Sequence, residues 1–273
     1  MMDSLRKYLK ILRISLVERL AYRADFFLTT FFRFLPLITT FLLWEAVYDG
    51  ADKTEIAGFT RDKMIAYLLL VQISRMFSSM PGLSTGIARD IRDGNLKKYL
   101  LQPIDMLWYL LSYRGAHKIA YIATTALPYA LLFFLFRHVF DLPSNGWTWL
   151  AYFASLLLSF IIGFFFEACI GVVGFWFLEV TSLMYIINII NFFVSGQMFP
   201  LDLLEQYPYV TRTLDLLPFQ YMAYFPAMVF LEKKTDTDLI VGLLIELGWA
   251  TGLIVLCRWM YRLGLRHYSA YGG

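Results

Sequence analysis

Apolar positions in this chain come in long solid runs separated by short polar stretches, not in the tight alternation of strands. A helix needs roughly 20 residues to cross a hydrocarbon core of about 30 Å. Six runs are about that long: about 26–48, 63–82, 113–136, 147–173, 183–199 and 238–258. The fifth is the shortest and carries Asn188 and Asn191. A membrane β-barrel needs weakly alternating segments of about ten residues, so runs this uniform exclude it. The pattern predicts an all-α membrane protein with six transmembrane helices.

Three further stretches have helical or turn character but are too polar or too broken to span. Between residues 4 and 22, Leu5, Leu9, Leu12, Leu16 and Leu20 share one helical face with basic residues on much of the rest. This predicts an amphipathic helix over 1–24 lying along a membrane surface. Residues 85–105, TGIARDIRDGNLKKYLLQPID, form a charged island between the second and third spans. There Ile87, Ile91, Leu96 and Leu100 recur at helical steps among Arg89, Asp90, Arg92, Asp93, Lys97 and Lys98, which predicts a short helix over 85–102. The segment 200–237 is amphipathic and punctuated by Pro200, Pro208, Pro218 and Pro226. Backbone groups freed by prolines must be buried in protein or line a wet cavity, so this segment is expected to re-enter the outer leaflet without crossing.

Composition agrees with the runs. The 273 residues are 59% hydrophobic and 16% charged, with a mean hydropathy of +0.59. A soluble domain would carry about a quarter charged residues, so that class is excluded. The net charge of +3 matters less than its sorting. Of the 24 Lys and Arg, 16 fall at the two ends, in the island or beside it, and acids outnumber the basic residues in the other connections. By the positive-inside rule both termini and the island are cytoplasmic. The connections at 49–62 and 137–146 are short, which leaves no room for an external receptor domain. The first run is too long for a signal peptide and is expected to stay as a span. The chain reads as a single membrane domain over 1–273.

The residues do not converge on chemistry. No G-x-x-x-x-G-K-[ST] loop is present, so the chain has no P-loop for ATP, and no metalloprotease, redox or nucleophile-elbow motif occurs. His117, His138 and His267 are far apart, and no metal site is expected. Cys169 and Cys257 sit in apolar runs and read as small core residues. Charges inside spans are functional hypotheses by default. Arg33, Glu45, Glu167 and Glu246 are the candidates, with Glu246 the best placed for a proton relay if it is not simply paired with a neighbouring helix. Asn188, Asn191 and Ser195 share a helical face, either bonding to another helix or facing a route. Gly163, Gly171 and Gly174 permit close packing, and Pro128 is positioned to kink the third span.

Two stretches together resemble the membrane subunits of type-2 ABC exporters: the island with its continuation IARDIRDGNLKKYLLQPIDMLWYLLSY, and VSGQMFPLDLLEQYPYVTRTLDLLPFQYMAYFPAMVFLEK at 194–233. Within that class the chain is similar to a bacterial group of six-helix permeases of roughly 260 residues. The resemblance implies a half-transporter that itself binds no cofactor, with ATP and Mg held by a cytoplasmic ABC ATPase, in two copies. It also implies a second permease subunit, identical or paralogous, and a multi-pass place in the bacterial plasma membrane, with no role for nucleic acid. Arg89, Asp90, Arg92, Asp93, Gly94 and Lys97 would then meet the ATPase through a coupling helix. Gln72, Met76, Ser79, Asn188, Asn191, Phe192 and Ser195 would line the pathway, and Pro200, Pro218, Phe219 and Pro226 an outer gate. Few charges and many Met and Phe on those helices suit export of a hydrophobic or amphipathic substrate. The sequence leaves a stand-alone ion- or proton-coupled transporter as the alternative.

Overall fold

The computed structural model describes Lys10, Arg13, Ile14, Val17 and residues 23–51, 54–177, 179–234 and 236–268. The expected interface helix at 1–24 lies almost entirely outside the described residues. Among the described residues the regular elements are helices apart from one small hairpin. Helix α1 (Arg23–Ala51) leads into strands β1 (Glu55–Ile56) and β2 (Phe59–Thr60), which pair antiparallel with Glu55 opposite Thr60. Then follow α2 (Arg61–Ser78), α3 (Leu83–Arg92), the single turn α4 (Lys97–Leu100), α5 (Met106–Leu135) and α6 (Gly146–Val172). The chain ends with α7 (Thr181–Val194), α8 (Pro208–Asp215), α9 (Tyr224–Phe230) and α10 (Asp236–His267).

Local chemistry sets several boundaries. The Thr60 hydroxyl accepts from the Lys63 amide, with Asp62 in the first turn, and so starts α2. Asp105 caps α5 by accepting from the Trp108 amide at 3.0 Å, which begins that helix seven residues before the apolar run does. Asn145 caps α6 through the Trp147 amide at 3.1 Å. Around Pro128, α5 bends by 53° between Met106–Ala123 and Pro128–Leu135, as expected where a proline removes a helical hydrogen bond.

Among the described residues, three elements are long and apolar enough to cross a membrane: the run Arg61–Arg92, Gly146–Phe175 and Thr237–His267. The bent α5 makes a fourth when its halves are counted as one span. The chain is therefore an α-helical membrane protein. Helix α7, with 14 residues, is too short to span about 30 Å unaided.

Helix α6 is the hub, with α2, α3, α9 and α10 packed around it. Inside a bilayer lipid is as apolar as leucine, so close van der Waals approach replaces the hydrophobic effect as the force between helices. The three glycines of this region provide that approach. A Cβ on Gly163 would stand 2.0 Å from the Ser78 carbonyl oxygen. One on Gly171 would stand 2.8 Å from Cβ of Ile87, and one on Gly174 3.0 Å from Cα of Ala88. Cys169 and Cys257 are both buried in the seam between α6 and α10 as free thiols.

Two elements differ from the pattern expected of them. The island is not one helix over 85–102: Gly94 takes a left-handed φ of 70° and splits it into α3 and α4. The break rotates the second piece, so Tyr99 turns inward with Ile87, Ile91 and Leu96 while Leu100 is left 50% exposed. The segment after α7 also reaches farther than a shallow dip. Asp202 accepts from the Tyr224 hydroxyl at 2.9 Å and lies within electrostatic reach of Lys233, whose ammonium meets the Gly58 carbonyl at 3.2 Å. The Met222 carbonyl, between them in sequence, accepts from Ser78 at the opposite end of α2 at 2.8 Å. Residues 222–233 thus pass antiparallel beside α2, from the Ser78 end toward the hairpin end. Residues 220–230 are all buried, and this apolar run is what draws the loop so deep.

Candidate functional site

Two cavities open beside the end of α2. The larger, about 490 Å³, lies between α2, α3, α6 and α7. Its walls include Ser84 and Thr85 of α3, Glu167 of α6, and Asn188 and Asn191 of α7. The smaller, about 370 Å³, lies between α1, α2 and α5, closed on one side by Phe192. The two share Arg75, Ser79, Met80, Pro81, Phe192 and Gln197 as a common wall.

The partition depends on the turn that ends α7. Gly196 takes φ 79°, and a Cβ there would collide with the Tyr67 hydroxyl at 2.7 Å. The turn is held by the Tyr67 hydroxyl donating to the Gly196 carbonyl, by Trp44 Nε1 donating to Met198 at 3.1 Å, and by the Tyr224 amide donating to Ser195 at 3.1 Å. Gln197 is thereby directed at α2, where Arg75 donates to its Oε1.

The residues expected to line a pathway divide between the cavities. Asn188 and Asn191 face the larger, Gln72 and Met76 the smaller, and Ser79 and Phe192 both. Asn191 Oδ1 is buried without a hydrogen-bond partner among the described residues, an acceptor held at the cavity wall. Ser195 is fully buried and its hydroxyl bonds to the Asn191 carbonyl, so the structure places it outside both cavities. Of the proline-rich set, Pro200, Pro218 and Pro226 are buried, and Phe219 packs its ring on Phe166 at 5.3 Å, beside the larger cavity.

The charges of the island gather on the side of α3–α4 opposite its buried face. Arg89, Arg92, Asp93 and Lys97 are exposed, and Asp90 is half-buried. Arg92 pairs with Asp93 at 3.2 Å and Lys98 with Asp90 at 2.8 Å. Burial works against the Lys98 charge, but the Asp90 carboxylate outweighs it and raises the pKa above the ordinary lysine value. Glu179, beside Thr85, Arg89 and Arg92, has its carboxyl held below the usual range by the Thr181 amide and hydroxyl. Gly94 supplies the turn between the two pieces.

Of the acids in spans, Glu45 pairs with Arg61 at 3.5 Å beside the hairpin, and Glu167 stands near Ser84 and Arg114 at the larger cavity. Glu246 is fully buried, accepts from Ser155 at 3.1 Å and lines neither cavity. The side chain of Arg33 lies outside those described. Sequence reasoning missed the basic lining of the smaller cavity: Arg75, Arg114, His117 and Lys118. The spacing of Arg114, His117, Lys118 and Tyr121, one face of α5, was the signal available for it.

Helices long and apolar enough to span a bilayer, with cavities walled by several of them, make this a multi-pass membrane protein. The chain belongs to the ABC-2 family transporter proteins, whose sequence profile matches residues 34–272. It is thus a permease, the membrane subunit of an ABC transporter, and its family partners an ABC ATPase subunit. No curated protein matches the chain at a significant level.

Proposed function

We propose that the chain is the membrane half of an ATP-driven exporter in the bacterial plasma membrane. It moves a hydrophobic or amphipathic substrate from the cytoplasm or inner leaflet along a path between two permease subunits. In this reading the spans are six, α1, α2, α5, α6, α7 with its re-entrant continuation, and α10, and both termini are cytoplasmic. Two copies of the ATPase bind below, and the exposed charges of α3–α4 are the docking surface. Mixed charges suit such a surface because complementarity fixes register more than affinity.

One observation carries the reading. Ser84 and Thr85 of α3 wall the same cavity as Asn188 and Asn191, and α3 is pressed on α6 through Gly171 and Gly174. A push on the exposed face of α3 therefore changes the shape of the cavity without an intervening flexible link. The sealed position of Glu246 supports a pairing role for it and weighs against a self-contained proton relay.

Simultaneous charge reversal at Arg92 and Asp93, in the complex with its natural ATPase in proteoliposomes, tests the proposal. The expected result is loss of transport with ATP hydrolysis uncoupled, or dissociation of the ATPase. Normal transport by a normally assembled complex overturns it.

A further inference from the structure

The larger cavity has a polar lining made almost wholly of uncharged groups. Thr181, Met184, Asn188 and Asn191 follow one another at steps of three, four and three, so one face of α7 forms its wall. Eight of the described side chains around it are hydroxyls or carboxamides, against one cation, Arg75, and one carboxylate, Glu167. Both charges already have protein partners: Arg75 donates to Gln197, and Glu167 lies within electrostatic reach of Arg114. An ion entering this space would lose hydration with no free counter-charge to meet it, whereas a neutral polar group would meet hydroxyls and amides. Asn191 Oδ1 and Glu167 Oε2 are buried without a hydrogen-bond partner among the described residues, so the wall holds two acceptors awaiting donors. The volume, about 490 Å³, falls within the roughly 300–1,000 Å³ typical of small-ligand sites. The neighbouring stripe of α7 is apolar and open. Tyr185 and Phe192 border the cavity, Ile189 lies between them at steps of four and three, and all three are exposed.

We infer that this cavity binds an amphipath whose head is uncharged and carries several hydroxyls, of glycosyl or polyol type. A hydroxyl both donates and accepts. Such a head donates to Asn191 Oδ1 and Glu167 Oε2 while it accepts from the Asn188 amide and the Ser and Thr hydroxyls. The apolar chain leaves past Tyr185 and Phe192 onto the exposed stripe of α7 at Ile189. The inference deepens the permease reading by naming the head chemistry, and it rests on that reading only for the direction of movement. Two sources share the required chemistry: an exported amphipath, or a glycolipid of the membrane resident in the wall.

The test uses the full chain in phosphatidylcholine nanodiscs and three probes of equal chain length: dodecyl glucoside, dodecyl phosphate and dodecyltrimethylammonium. Wild-type protein is expected to bind the glucoside at least about tenfold more tightly than either ion, a difference of roughly 1.4 kcal/mol. Asn188 is exposed and Asn191 Oδ1 has no partner to lose, so these two positions carry the variants. Asn188→Leu and Asn191→Leu are each expected to weaken glucoside binding about fivefold, as for the loss of one net hydrogen bond. Melting temperature and dodecyltrimethylammonium binding should stay as in wild type. An ion that binds wild-type protein as tightly as the glucoside, or two Asn variants with wild-type glucoside affinity, overturns the inference.

A second arm adds the natural ATPase with Mg and ATP. ATP-driven loss of bound dodecyl glucoside, with its appearance in the outer leaflet of vesicles, identifies an exported ligand; bound probe that ignores ATP identifies a resident lipid site. Binding is read without the ATPase, so failure of the permease reading removes only the ATP response and leaves the affinity comparison standing.

Discussion

Arg75 of α2 donates a hydrogen bond to Oε1 of Gln197, and both residues belong to the wall between the two cavities. They are 122 positions apart in sequence. The pair ties the last turn of α2, which leads into the charged island, to the turn that ends α7.

Removing this bond should weaken the partition. Gln197→Leu keeps the volume but deletes the acceptor beside a charged donor, which typically costs about 1.5–3 kcal/mol. A lower melting temperature in detergent is expected, together with altered substrate stimulation of the ATPase. A variant as stable as wild type, with unchanged stimulation, rules out the bond as a determinant of the wall.

The glycines of α6 should separate sharply from those elsewhere. Gly163→Ala places a Cβ 2.0 Å from a backbone oxygen, and overpacking of this kind costs about 1–3 kcal/mol or more. Gly171→Ala should be intermediate, because its nearest neighbours, Cβ of Ile87 at 2.8 Å and the Ser84 carbonyl oxygen at 2.9 Å, are fixed to the backbone but stand farther off than the Ser78 oxygen does from Gly163. Gly248→Ala in α10 meets nothing within 4 Å and should be neutral or stabilising by up to about 1 kcal/mol. Thermal unfolding of the three variants side by side checks the order.

Glu246 distinguishes two kinds of transporter. Gln at this position keeps an oxygen to accept from Ser155, so Glu246→Gln should fold and transport close to wild type. Glu246→Ala leaves the Ser155 hydroxyl without its buried acceptor and should lower stability. If Glu246→Gln folds normally yet abolishes transport in a flux assay, a protonation step at this site returns to consideration.

The deep loop after α7 should have both ends on the outer side. Single cysteines replacing Asp202 and Lys234, in an otherwise cysteine-free chain, are expected to react with an impermeant maleimide added from outside. Reaction of the Lys234 substitution only from the cytoplasm would mean that the segment crosses.

Much of the architecture is legible along the chain because its causes are local. Run length against bilayer thickness marks the long apolar helices, and Asp105 and Asn145 cap within three residues of themselves. The charged island and the proline-punctuated segment are likewise visible as interruptions of the apolar pattern. The family resemblance, carried by those same two stretches, points to the permease fold that the family profile also marks. These features require no knowledge of which helix touches which.

The site is a different matter. Whether Asn191 faces a cavity while Ser195 is buried depends on the turn at Gly196 and on what Tyr67 and Tyr224 do to it. Leu100 and Tyr99 exchange places because one backbone angle at Gly94 rotates the following turn. Arg75, Arg114 and Lys118 look in sequence like ordinary charges at span ends, and only the packing of α5 against α2 turns them into the lining of one cavity. The sequence by itself determined a helical membrane protein with a charged island and a proline-broken segment, because hydropathy and charge act residue by residue. The tertiary structure alone decided which side chains share a wall, because that depends on contacts between helices far apart in the chain and on the few glycines that let those helices approach.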